Sequence, residues 1–217
     1  MPTIFRTAAA AAAAGCAIAA FSGVPTAGAD TAATEYVAVL EPLNTGVTGL
    51  RSTGKARFLI DGDELTITVT AEEVPPGITH LQHFHGFEDG RDASCAGPAD
   101  DANGDGIVDL IETEAVSGKT MVPFTADPVS LEIVTDTYPT ASDNETYHYQ
   151  QTVSLAELQQ AFAEAFSGQD LDLDGRVVYV HSVLPSMVMP DSVASLGDIP
   201  AHVTLPIACG EIEARGN

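Results

Sequence analysis

Short stretches that are either apolar or alternate between apolar and polar residues constrain this chain more than any other feature. Residues 36–40, 56–60, 65–70, 129–135, 146–153, 176–183 and 202–207 each read as a strand. Side chains on a strand alternate between two faces, and only one face needs to be buried. Asp61-Gly62-Asp63 between the second and third stretches marks a hairpin turn. A single helix interrupts the pattern. Ser154 and Glu157 form a capping box, Gly168 is a stop, and Leu155, Leu158, Phe162 and Phe166 fall on one stripe suited to core packing. The pattern predicts an all-β sandwich or barrel with one inserted helix and long loops.

The start of the chain reads differently. Arg6 is followed by an alanine-rich apolar run and by Ala27-Gly28-Ala29, the small-residue site of a cleavable secretory leader over residues 1–29. Cys16, after Ala14-Gly15, offers lipid anchoring as the alternative to cleavage. Residues 30–217 then form the one domain, long enough for a substantial core. They retain two cysteines, Cys95 and Cys209, and an even pair in an exported chain reads as a disulfide. The expected location is the periplasm or the exterior, with no membrane span.

Charge excludes some partners. The chain carries 8 basic and 31 acidic residues, a net charge of −23; loss of Arg6 with the leader leaves 7 against 31, or −24. Such a surface repels nucleic acid and anionic membranes and favours cations. The sequence contains no nucleophile elbow, phosphate-binding loop or dinucleotide fingerprint.

Chemistry concentrates at His83-Phe84-His85. Two imidazoles at i and i+2 share one face of a strand, so both can reach one ion. His181, at the end of Arg176-Val177-Val178-Tyr179-Val180, is a candidate third nitrogen. Clustered imidazoles suit copper and zinc. His148 and His202 are candidates for an extra ligand.

Four segments in order resemble the copper-zinc superoxide dismutase family. His80-Leu81-Gln82-His83-Phe84-His85-Gly86-Phe87 looks like the family's H-G-F-H-V-H-E-F strand. Ser94-Cys95-Ala96-Gly97-Pro98 sits where its first disulfide cysteine precedes A-G-P. Gly175–His181 looks like G-R-T-L-V-V-H, and Ala208-Cys209-Gly210-Glu211-Ile212 looks like A-C-G-V-I. The pattern also resembles chordin-type (CHRD) domains. The resemblance covers about a quarter of the mature chain at motif level. It implies a Greek-key β-sandwich, copper ligands at His83, His85 and His181, a Cys95–Cys209 disulfide, and His80 as a structural residue off the ligand face.

Departures from the family bear on function. Pro98 is followed by Ala99-Asp100-Asp101, and no histidine occurs until His148, so the bridging histidine and the zinc site are missing. Pro206 occupies the position of the family's anion-guiding arginine. In place of the zinc ligands, residues 101–112 fit the calcium-loop pattern at every position. Asp101, Asn103, Asp105, Ile107 (through its carbonyl), Asp109 and Glu112 are the candidate ligands, and Gly106 is at the turn. Gly97 and Pro98 upstream argue against a flanking helix there, so the loop is expected to stand alone and to be structural. The functional expectation is an exported copper-binding protein, with copper-only dismutation of superoxide as the implied activity. The alternative is a non-catalytic copper-binding or chordin-like module with a calcium-stabilised loop.

Overall fold

The structure, a computed structural model, describes residues 33–216. The leader segment, with Cys16, lies outside the described residues. Eight antiparallel strands form one sheet in the order β5-β4-β7-β8-β1-β2-β3-β6. They are β1 (Thr34–Pro42), β2 (Thr53–Asp61), β3 (Glu64–Glu72), β4 (Gln82–Gly86), β5 (Lys119–Pro123), β6 (Thr146–Ser154), β7 (Val177–His181) and β8 (Pro206–Ala214). Four helices decorate the sheet: α1 (Thr45–Thr48), α2 (Leu110–Ser117), α3 (Leu155–Ala165) and α4 (Ala201–Thr204). The all-β expectation agrees with this architecture.

The sheet curls until its halves face each other. Phe58 of β2 and Phe84 of β4 meet the same ring, Phe124, at 5.8 and 6.2 Å between centroids. Ile67 and Val69 of β3 and Val178 and Val180 of β7 belong to the same buried cluster. The burial of such side chains, at about 25 cal/mol per Å² of apolar surface, drives the curling. β8 serves both halves: Cys209 pairs with Tyr179 of β7 on one side and with Glu41 of β1 on the other. The hairpin at residues 61–63 forms as expected, with Asp61 opposite Glu64. Ser154 caps α3 by accepting from the Glu157 amide at 3.2 Å, and Leu158 and Phe162 are fully buried.

Two strand expectations are corrected. Residues 129–135 do not form a strand; the segment is bracketed by 3-10 turns at Pro128–Ser130 and Thr135–Thr137. Pro128 lacks an amide N–H, and Leu131 is left-handed at φ 57°, so a ladder cannot run through them. Residues 202–207 begin as the helical turn α4 behind Pro200, and the strand starts only at Pro206.

Alternation along β4 and β7 sets up the site. Phe84, Val178 and Val180 point into the core. The residues between them, His83, His85, Tyr179 and His181, therefore face outward. This outer face is itself covered: Val177 and Tyr179 pack with Leu43, Ala93, Cys95 and Cys209. Cys95 and Cys209 form a disulfide across 114 residues. It fastens the long segment between β4 and α2 over the outer face.

Candidate metal centre

His83, His85 and His181 converge. Each offers a ring nitrogen within 4.8 Å of the others, and all three are buried. Among the described residues they are the one group of three or more His, Cys, Asp or Glu side chains arranged closely enough to hold a metal ion. His83 stands opposite Tyr179 in the β4–β7 ladder, and the His181 amide donates to the Leu81 carbonyl at 2.8 Å. This pairing carries the third ring to the other two.

Backbone carbonyls fix the tautomers. His181 Nδ1 donates to the Thr204 carbonyl at 2.7 Å, and His85 Nδ1 donates to the Gly118 carbonyl at 3.1 Å. Each ring is thereby left with a lone pair on Nε2, the form that binds a metal. Thr120 Oγ1 lies 3.2 Å from His85 Nε2. His83 Nε2 lies 3.1 Å from His181 Nε2, while His83 Nδ1 is buried with no hydrogen-bond partner. An orphaned buried polar atom costs about 1–3 kcal/mol, a cost that an ion bound through Nδ1 would relieve.

Burial keeps the rings neutral. It pushes His85 down to about 3, with the neighbouring His181 adding to the effect. It pushes His181 down to about 4 against the opposing pull of the Thr204 carbonyl. His83 is held well below the ordinary histidine range by burial first and by its two neighbours second. Neutral imidazole is the ligating form.

A second tier holds the first. The Tyr179 hydroxyl accepts from the Ala96 amide at 2.9 Å and lies 2.7 Å from Ser117 Oγ, which donates to the Ser94 carbonyl at 2.7 Å. Ser117 is followed by Gly118, the partner of His85. The disulfide-anchored segment is thus linked, through Tyr179 and Ser117, to the residue that positions His85. His80 is a structural residue, buried, with its ring nitrogens 2.9 Å from the carbonyls of His181 and Pro75. Arg176 is also structural; it reaches the Leu171 carbonyl and Gln169 and lies over the Phe162 ring.

His148 and His202 are not brought into the group. His148 is exposed on β6, at the far edge of the sheet from β5 and β4. His202 is half-buried on α4, beside Ile78 and Asp136. Sequence reasoning missed Gly118, Thr120 and Thr204. None carries a motif; only Ser117-Gly118 as a turn dipeptide gave any signal.

The 101–112 loop folds around its own amides, and Asp101, Asp105, Asp109 and Glu112 do not converge as the three histidines do. Asp101 accepts from Gly104, Asp105 and Gly106. Asn103 accepts from Asp105, and Asp105 accepts from Ile107. Glu112 accepts from Ala102, Asn103 and Asp109. Ile107 buries its side chain in the core. Asp109 is the N-cap of α2, accepting from Ile111 and Glu112, and its other oxygen accepts from Ala194 at 2.7 Å. Ser192 donates to Asp105 at 2.5 Å, which holds that carboxyl below its usual range. The loop before β8 is therefore latched onto residues 101–112.

The chain matches no protein-family model and no curated protein. Among the described residues no helix is long and apolar enough to cross a membrane.

Proposed function

We propose that the chain is an exported copper-binding protein of superoxide-dismutase-like type, with the ion held by His83, His85 and His181. The observation that supports it best is the convergence of the His85 and His181 lone pairs beside a buried His83 nitrogen that has no other partner. Three imidazoles would also take zinc; the ordered motif resemblance is what favours copper. Bound there, copper supplies a one-electron oxidation–reduction couple, the chemistry that dismutation of superoxide to oxygen and peroxide requires. The protein's part is positional. Gly118 and Thr204 orient two rings, and Tyr179 braces the segment behind one of them.

Residues 101–112 are proposed as a structural calcium loop. The twelve-position sequence pattern is what supports this. A chordin-like binding module is the competing reading, in which the calcium loop matters and the histidines hold nothing.

Metal analysis separates the two. The protein is loaded with copper, zinc and calcium, dialysed exhaustively and analysed by mass spectrometry beside a His83→Ala, His85→Ala variant. One copper per chain, lost in the variant, is the expected result and leads to a dismutase assay. A wild-type protein that keeps no copper overturns the copper reading.

A further inference from the structure

The three histidines are the floor of a cavity of about 340 Å³, and its walls are apolar. Leu81, Leu110, Ile133 and Leu196 supply them. These four belong to separate segments: the approach to β4, the first turn of α2, the stretch between the 3-10 turns, and the loop before β8. No amphipathic periodicity explains why four segments should each turn an aliphatic side chain toward nitrogen ligands. Leu196 is 46% exposed, and Leu110 and Ile133 are half-buried. A ligand covering them gains the usual return for removing apolar surface from water.

A diatomic anion uses none of this. Superoxide, the substrate of the proposed dismutation, gains nothing from aliphatic walls and meets a net charge of −23, so the walls serve a different occupant. The charged rim offers no compensation. Glu114 and Lys119 are of opposite sign, and Lys119 is already paired with Glu88 at 3.3 Å. The volume lies at the small end of ligand pockets, which suits a single ring with a short substituent.

We propose that this pocket binds a small neutral ring-sized phenol or alcohol, its hydrocarbon against the leucines and its oxygen toward the histidine end. The inference rests on the metal reading of the site, because the bound ion is what that oxygen meets.

Phenol is the probe. Its binding to the full chain is measured by calorimetry in copper-loaded and metal-free forms, with azide as the anionic comparison and with Leu110→Asp and Leu196→Ser variants. Copper content and the unfolding midpoint are determined for each. The expected result is saturable phenol binding to the copper form, tighter than azide. It weakens by about tenfold or more in Leu110→Asp with copper retained, and by less in Leu196→Ser. Azide binding more tightly than phenol, or phenol affinity unchanged in both variants, overturns the proposal. If the wild type keeps no copper, the metal reading fails on its own. Phenol binding to the metal-free protein that both variants weaken then still supports the apolar pocket, and its absence overturns that too.

Discussion

His85 donates through Nδ1 to the Gly118 carbonyl at 3.1 Å, and Gly118 is a position that only glycine can fill. Its φ of 71° with ψ of −151° lies outside the regions open to other residues, and a Cβ there would collide with the Gly86 carbonyl. Gly118→Ala is expected to cost about 3 kcal/mol or more from strain and displacement of β4. Denaturant midpoints measure that loss. Copper retention falls with it, because the carbonyl that selects the His85 tautomer moves.

The metal-free protein should lose stability on mild acidification. Above an ordinary histidine value of about 6.5, both folded and unfolded chains hold neutral rings and the histidines contribute no slope. Below it the unfolded chain takes up protons, while buried His181 and His85 resist until about 4 and about 3. The unfolded state therefore binds more protons through this window, and stability falls as pH drops from 6.5 toward 4. Each ring adds a slope of up to about 1.4 kcal/mol per pH unit. Urea unfolding at several pH values in chelator should show it. A His83→Ala, His85→Ala variant whose slope matches the wild type would refute the assignment.

Reduction of the Cys95–Cys209 disulfide, or a Cys95→Ser, Cys209→Ser pair, is expected to destabilise by about 4–5 kcal/mol, the chain-entropy value for a loop of 114 residues. The site should suffer as well, because the disulfide anchors the segment that bonds Tyr179. Thermal melts with and without reductant, paired with copper retention, test both statements.

Calcium should raise the melting temperature of chelator-treated protein. With affinities of about 10⁻⁴ to 10⁻³ M, typical of extracellular loops, about 10 mM calcium adds about 1.4–2.7 kcal/mol. Asp101→Asn with Glu112→Gln should abolish the increment while leaving the copper content unchanged. A melting temperature indifferent to calcium would remove the loop from the list of ion sites.

Much of this structure is legible in the chain, and the exceptions have physical causes. Strands that alternate over a long run, such as β2 and β3, announce themselves, and parity alone puts His83 and His85 on one face. β5 escapes notice because it is five residues long and bounded by Gly118 and Pro123. α2 escapes because Asp109-x-x-Glu112 reads equally as two calcium oxygens and as a capping box, and the capping box is what forms. The carbonyls of Gly118 and Thr204 leave no trace in the sequence, since every residue has a carbonyl and only the fold selects which ones meet a histidine.

His83 and His181 stand 98 residues apart and meet only across the β4–β7 ladder. An emerging chain therefore lacks the three-nitrogen arrangement until its last third has folded back. On the proposed metal reading, capture would be a timestamp of completed assembly: three-nitrogen binding would require the central strands to have paired.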